Sequence, residues 1–177
     1  MALPISARTG KNFVRKFQMP DVVSNTTPLQ YLHQIGLLDV LPRLFGSILV
    51  PSAVAGEIAA GVKIGVELPD IPSLDWVEVR EVAPSPWPVP RDIHRGEAEV
   101  IALGASLHDA LLLLDDLAAR RHAKLSGVRF TGTLEILVKA KHAGLIESVS
   151  TYVVRLEDKE FHLAPSTRKD FLFLAGE

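Results

Sequence analysis

The apolar run Ala110-Leu111-Leu112-Leu113-Leu114 is the clearest feature of the hydrophobic pattern. It is too short to cross a membrane and too uniformly apolar for a strand with one wet face, so it predicts a strand buried on both faces of a parallel sheet. Asp115 and Asp116 follow it directly. Ligands bind outside the carboxyl ends of the strands in open α/β sheets, which makes both acids candidates for a site. The alternative is that Asp116 only caps the next helix, as Asp does well.

Strand and helix patterns alternate along most of the chain. Strands are predicted at 22–24, 48–50 and 128–130, with an edge strand at 76–79. Helices are predicted at 28–35, 38–45, 53–60, 117–126 and 134–142, from residue 96 onwards, and over most of 145–177. The first helix should have Thr27 as its N-cap and Pro28 in the first helical position. This alternation implies crossover connections and a mostly parallel sheet of about four or five strands, flanked on both sides.

Two regions lack the alternation. Residues 1–20 carry Lys11, Arg15 and Lys16 among isolated apolar residues, and we expect them to form an N-terminal arm before a single domain at 21–177. Between residues 61 and 95, a high density of proline denies a continuous helix or a central strand and predicts a surface loop. The prolines are Pro69, Pro72, Pro84, Pro86, Pro88 and Pro90.

Composition narrows the class of protein. With 177 residues, 47% of them hydrophobic, the chain can bury one core. The absence of cysteine excludes disulfides, thiol catalysis and thiolate zinc sites, and it suits a reducing compartment, so we expect a cytoplasmic protein. No apolar run approaches the roughly 18 residues of a membrane span. The net charge of -2 disfavours coating of nucleic acid by bulk charge but leaves room for a local basic patch.

Several common kinds of site find no support in the sequence. The glycine-rich loops that bind nucleotide phosphates do not occur, and Ser24 lacks the Gly-x-Ser-x-Gly elbow of serine hydrolases. The six histidines lie far apart, without the spacing of metal ligands. Carboxylates remain as the candidate chemistry.

Oxygen-bearing side chains are predicted to meet at the carboxyl edge of the sheet. Asn25 ends the first strand, Glu57 lies on the helix after the second, and Asp115-Asp116 end the apolar strand. Glu97 opens the preceding helix and shares a side with its apolar face, whereas Glu99 points elsewhere. Oxygen ligands without histidine or cysteine suit Mg²⁺ or Mn²⁺, which favours hydrolysis of phosphodiesters.

Five motifs, in order and at workable spacing, resemble those of the PIN-domain superfamily. They are Val-Val-Ser-Asn-Thr-Thr-Pro-Leu (22–29), Val-Pro-Ser-Ala-Val-Ala-Gly-Glu-Ile (50–58), Gly-Glu-Ala-Glu-Val-Ile-Ala-Leu (96–103), Leu-Leu-Leu-Asp-Asp-Leu-Ala-Ala-Arg (112–120) and Thr-Gly-Thr-Leu-Glu-Ile-Leu (131–137). The resemblance extends over residues 22–177 and is closest to a prokaryotic branch of PIN-like proteins related to toxin nucleases. It implies a three-layer α/β/α sandwich, RNA cleavage dependent on Mg²⁺ or Mn²⁺, and a small antitoxin as companion. We also expect a homodimer.

The resemblance carries the acidic positions of the family onto this chain residue by residue. The first acid falls on Asn25, the helix acid on Glu57, the third acid on Glu97 and the strand-end acid on Asp116, with Asp115 as neighbour or substitute. This assigns Glu57, Glu97 and Asp116 to catalysis, and Asn25, Glu97, Asp115 and Asp116 to metal binding. Asn25 departs from the pattern, because an amide oxygen can coordinate but brings no charge, so metal affinity and activation of water should both fall.

Three further residues are candidates for substrate contact, namely Thr26, Arg120 and Arg121. Thr26 offers a hydroxyl beside Asn25, and the two arginines form a basic cluster after the strand-end acids. Arg120 also has a structural alternative, because it stands four residues after Asp116, a spacing that forms ordinary intrahelical ion pairs.

Three classes of function stay open on the sequence. The first, which we prefer, is a PIN-type ribonuclease using one or two divalent ions. The second is a catalytically weakened PIN-like module that binds RNA or an antitoxin without cutting, and Asn25 is the main argument for it. The third is an α/β response-type or small-molecule domain that uses the acids for another purpose, and the family resemblance counts against it.

Overall fold

The structure is a computed structural model that describes residues 19–83 and 89–177. Its centre is a five-stranded sheet with strand order β3-β2-β1-β4-β5, in which each strand is parallel to its neighbours. The strands are β1 (Asp21–Ser24), β2 (Ile48–Pro51), β3 (Val77–Arg80), β4 (Ala110–Leu113) and β5 (Arg129–Thr131). The parallel sheet confirms the predicted α/β class, and β3 takes the edge position that was predicted for 76–79.

Helices cover the sheet in a three-layer arrangement, as predicted. Those in the described residues are α1 (Thr26–Gln34), α2 (Val40–Phe45), α3 (Ser52–Lys63), α4 (Arg95–Ser106), α5 (Leu117–Leu125), α6 (Thr133–His142), α7 (Val149–Asp158) and α8 (Pro165–Leu174). Helix α4 packs across β1, β2 and β4 and beside α3 and α5, whereas α6 contacts α1, α2, α7 and α8. No helix in the described ranges has the length and apolarity needed to traverse a membrane.

The burial of each strand follows from its place in the sheet. All four residues of β4 are buried, because β4 lies between β1 and β5 and is covered on both faces. At the edge, β3 is largely exposed and carries Glu78 and Arg80, which form an ion pair. Charges on an edge strand discourage pairing with another chain.

The start of α1 differs from the sequence prediction. The helix begins at Thr26 with Asn25 as N-cap, so the assignment of Thr27 as N-cap and Pro28 as first helical residue was wrong. Asn25 has the extended backbone of an N-cap residue, with φ -83° and ψ 172°. Pro28 is instead the third helical residue, where the backbone N–H has no intrahelical partner in any case, so proline is tolerated.

The proline-rich region is only partly within the described structure. The predicted loop between 61 and 95 contains the last turn of α3, a short 3₁₀ helix (Ile71–Ser73) and β3. Residues 84–88 of that loop, and residues 1–18 of the predicted arm, lie outside the described residues.

The chain reverses its direction across the sheet between β1 and β4. It runs from β1 to β2 and β3 on one side, then returns to β4 and β5 on the other. Ligands of open α/β sheets bind in the crevice at such a switch point, outside the carboxyl ends of the strands. Asn25 stands at this crevice, and its backbone N–H donates to the carbonyl of Leu113 at 3.2 Å.

Two glycine-to-alanine substitutions test the packing of α4 on the sheet. A Cβ on Gly104 would overlap the fully buried side chain of Leu112, whereas a Cβ on Gly56 in α3 meets only open space. We expect Gly104→Ala to lower the free energy of unfolding by about 1–2 kcal/mol, because overpacking outweighs the gain in helix propensity. Gly56→Ala should raise it by about 0.5–1 kcal/mol. Urea denaturation of both variants measures the difference, and a stabilised Gly104→Ala would contradict this packing.

Candidate active site

A cleft of about 470 Å³ opens at the carboxyl edge of the sheet, beside the switch point. It is lined by Asn25, Thr26, Thr27, Glu57, His94, Arg95 and Glu97. These residues come from the starts of α1 and α4 and the second turn of α3. The helices that follow or precede parallel strands thus bring four of the predicted site residues, Asn25, Thr26, Glu57 and Glu97, to one place.

Asn25 lines this cleft with a buried side chain. The residue is only 5% exposed, and although it holds the N-cap position of α1, its side chain makes no capping hydrogen bond. Asparagine at an N-cap usually bonds to the backbone of the helix. Because that use is absent here, the amide stays available to a ligand in the cleft.

Glu57 is held by Thr26 and by the close approach of α4. The Thr26 hydroxyl donates to Glu57 Oε2 at 3.0 Å. The carboxylate also lies against the backbone of Gly96, where an added Cβ would stand 2.7 and 2.8 Å from its two oxygens. Gly96 is therefore a site residue that the sequence analysis missed, although its place directly before Glu97 was a usable signal.

Glu97 combines a structural task with its position in the cleft. It is 8% exposed, and its Oε2 accepts the backbone N–H of His94 at 2.8 Å, which satisfies an unpaired group at the start of α4. One carboxylate oxygen is engaged in this way, and the second is available to a ligand. Glu99 turns away, as its spacing predicted, and accepts from the backbone N–H of Ala53 at 3.2 Å.

Asp116 caps α5, which was the structural alternative for this residue. Its Oδ1 accepts the backbone N–H of Ala119 at 2.8 Å, and the side chain is exposed. It is not among the residues that line the cleft. Its predicted catalytic and metal-binding roles stay predictions.

Asp115 forms a clamp between β4 and α6, with a side chain that is 12% exposed. Its two oxygens accept from the backbone N–H of Thr133 at 2.8 Å and from the Thr133 hydroxyl at 2.6 Å. Burial raises the pKa of the Asp115 carboxyl above its ordinary value, and the Thr133 hydrogen bonds and Arg120 oppose only part of this rise. Because both oxygens are already engaged, Asp115 is a poorer metal ligand than its place in the sequence suggested.

Arg120 belongs to the same clamp. Its Nε donates to the carbonyl of Leu114 at 2.8 Å, and its Nη groups donate to the carboxylate of Glu135 at 3.1 and 3.2 Å. The spacing to Asp116 suggested an intrahelical pair, but the guanidinium reaches across to α6 instead. The sequence analysis did not identify Thr133 and Glu135 as members of this clamp. Glu135 stands three residues after Gly132, which is the spacing of a capping box and was a usable signal.

Arg121 points away from this network. It lies 3.9 Å from Asp92 and is 69% exposed. Exposed ion pairs of this kind contribute little to stability. Substrate contact by Arg120 and Arg121 stays a prediction.

The oxygen ligands of the cleft can be compared with the coordination that a divalent cation requires. Within residues 19–83 and 89–177, no three His, Cys, Asp or Glu side chains are grouped closely enough to hold a metal ion, so the expected convergence of Glu57, Glu97 and Asp116 as one group is not seen. Mg²⁺ does not require such a cage, because it keeps several waters and binds through one or two carboxylates plus substrate phosphates. Glu57, Glu97 and the amide oxygen of Asn25 fit that smaller set.

Substitutions at Thr133 test the clamp. Thr133→Val removes the hydroxyl and leaves one oxygen of the poorly exposed Asp115 carboxylate without its donor, so we expect a loss of about 1–3 kcal/mol in the free energy of unfolding. Thr133→Ser retains the hydroxyl and should cost clearly less. Chemical denaturation of the two variants compares them, and equal stability of Thr133→Val and the parent would refute the clamp.

Comparison with known proteins supports the fold and identifies the family. No curated protein sequence matches the chain at a significant level. Among solved structures, the chain is similar to a PilT N-terminus domain protein, SSO1118, from the hyperthermophilic archaeon Sulfolobus solfataricus P2, with a TM-score of 0.51 and 23% identity, covering 67% of this chain and 92% of that chain. At this identity the likeness shows the fold. The model of the family DUF3368, described as a PIN domain, matches residues 21–177, and the chain therefore belongs to this PIN-domain family.

Proposed function

We propose that the chain is a ribonuclease of the PIN type, with the cleft at the carboxyl edge as its metal and reaction site. The observation that carries the proposal is that Asn25, Glu57 and Glu97, from three separate elements, line one cleft at the switch point of the sheet. Membership of a PIN-domain family supports a nuclease module, and domains of this kind generally depend on a divalent metal.

The chain's own side chains supply the ligands and their orientation. Glu57 and Glu97 would hold the cation, with the amide oxygen of Asn25 as a neutral third ligand. A divalent cation at such a site lowers the pKa of water and neutralises charge that develops on phosphate. Thr26 fixes the Glu57 carboxylate, and the His94 backbone fixes Glu97, so neither acid has to reorganise when the cation binds.

Asn25 sets the strength of this site. The amide avoids adding a third negative charge to the cleft, which reduces repulsion between the ligands when no cation is bound. It also provides less attraction for the cation than a carboxylate would. We therefore propose a weak metal site, with activity that rises with Mn²⁺ or Mg²⁺ concentration over a wide range.

A second function is favoured by the same residue. A PIN-like module with an amide at its first acidic position could bind RNA or a protein partner without cutting. The two functions differ in metal dependence, because binding alone does not require Glu97 as a ligand. A small antitoxin partner, a homodimer and a cytoplasmic location stay predictions from the sequence.

Glu97→Gln tests the ribonuclease proposal. Gln keeps the capping bond to His94, since Glu and Gln serve equally in a capping box, so the variant should fold while losing the charge that binds the cation. Loss of even a supporting residue of a metal site typically costs about 10- to 100-fold, so we expect Mn²⁺-dependent cleavage of RNA to fall by at least about 100-fold. Cleavage is measured on labelled RNA with and without EDTA.

Glu147→Gln serves as the control, because Glu147 is an exposed glutamate outside the cleft. Its cleavage rate should equal that of the parent. A parent that binds RNA but shows no Mn²⁺-dependent cleavage would reject the ribonuclease and favour the binding module.

A further inference from the structure

Arg95 brings a guanidinium to the cleft of the candidate active site. It is the first residue of α4, it lines the cleft together with Glu57 and Glu97, and its side chain is 77% exposed. A ligand in the cleft can therefore reach Arg95 without displacing a buried group.

Glu99 holds Arg95 in position. Its Oε2 accepts the backbone N–H of Ala53 at the start of α3, and its Oε1 accepts from Arg95 Nε at 2.9 Å. The Glu99 side chain is only 15% exposed, so the contact between α3 and α4 fixes it. The guanidinium is thus anchored through Nε, and its two Nη groups have no hydrogen-bond partner within residues 19–83 and 89–177.

A phosphodiester needs a positively charged side chain to bind in this acidic cleft. A phosphodiester that approaches Glu57 and Glu97 meets two carboxylates of its own sign. An arginine fork matches the oxygens of a phosphate, and the positive end of the α4 helix dipole lies at the same place. The first turn of α4 therefore carries an acidic group for a cation and a basic group for an anion.

The arginines nominated from the sequence are less suited to this task. The guanidinium of Arg120 already donates hydrogen bonds to the carbonyl of Leu114 and the carboxylate of Glu135 inside the clamp. Arg121 lies beside Asp92, outside the lining of the cleft.

We propose that Arg95, oriented by Glu99, binds a phosphate of the RNA strand in this cleft. The inference rests on the proposed ribonuclease function and names the side chain that recognises its polyanionic substrate. Arg95 is then a substrate-binding residue, and Glu99 is a positioning residue that acts through it.

The test measures binding and cleavage with the full chain. Binding of a fluorescein-labelled oligouridylate is followed by anisotropy at several salt concentrations, with Ca²⁺ in place of Mn²⁺, and cleavage of the same strand is followed with Mn²⁺. We expect Arg95→Gln to weaken binding by about tenfold, since a hydrogen-bonded charge pair is lost. The slope of log affinity against log salt should become shallower by about 0.7, the value for one phosphate contact on a single strand.

The kinetic readout separates substrate binding from a structural effect. In Arg95→Gln, KM should rise while kcat stays within a few-fold of the parent. Arg95→Lys should recover the salt slope but only part of the affinity, because the charge returns without the fork. Glu99→Gln should cause a smaller loss than Arg95→Gln, and unchanged thermal melts show that these variants fold.

Arg43→Gln is the matched control, because Arg43 is an exposed arginine on α2 that lies outside the cleft and pairs, among the described residues, with Asp39 at i,i+4. It should bind and cleave as the parent does. If the parent cleaves RNA while Arg95→Gln keeps the affinity and salt slope of the parent, the inference is overturned and the ribonuclease stands. A loss in Arg121→Gln without one in Arg95→Gln overturns it likewise.

The remaining outcomes distinguish the two proposals. If the parent binds RNA without cutting it and Arg95→Gln loses affinity, the phosphate contact is supported and only the ribonuclease is rejected. A parent that neither binds nor cuts RNA overturns both.

Discussion

The parallel pairing of β1 with β4 is the constraint on which the candidate site depends. Val23 stands opposite Leu112 in this pairing, and both side chains are fully buried. Burial of a side chain of this size stabilises the fold by about 1.5–3 kcal/mol, so the register of the two strands is strongly fixed. Because both strands point the same way, their ends meet at one edge, and Asn25 and Asp115 are placed there by the backbone alone.

Around this edge, some acidic residues make structural hydrogen bonds and others line the cleft. Asp115 is half-buried and accepts hydrogen bonds from Thr133 with both oxygens, whereas Glu57 and Glu97 line a cleft open to solvent. Asn25 completes the cleft with a group that is buried at lower cost than a charge would be. The acids of the sequence thus take three positions in the structure: Glu57 and Glu97 line the cleft, Asp115 forms a clamp, and Asp116 caps a helix.

The order of strands and helices could be predicted because strands buried on both faces leave continuous apolar runs, such as 110–114. The start of α1 could not, since both Asn25 and Thr27 are good N-cap residues and Pro28 is tolerated anywhere in the first turn.

The different roles of Asp115 and Asp116 could not be predicted from the sequence either. They depend on whether Thr133, eighteen residues after Asp115, lies at the end of β4. The same limit applies to Arg120. Its spacing along the helix suggested an ion pair with Asp116, but tertiary packing places it beside Glu135, with which it forms an ion pair. The sequence pattern did not single out Arg95 as a site residue. Only the packing of α4 against α3 shows that it lines the cleft.

The substitution Asn25→Asp tests most directly whether Asn25, Glu57 and Glu97 form one metal site, as we propose. Calorimetric titration with Mn²⁺ should show about tenfold or more tighter binding to Asn25→Asp than to the parent, because a charged oxygen replaces a neutral one beside the cation. The added affinity should vanish in the double variant with Glu97→Gln if the two residues share one ion. Equal Mn²⁺ affinity of Asn25→Asp and the parent would show that position 25 does not face a metal, and would contradict the account.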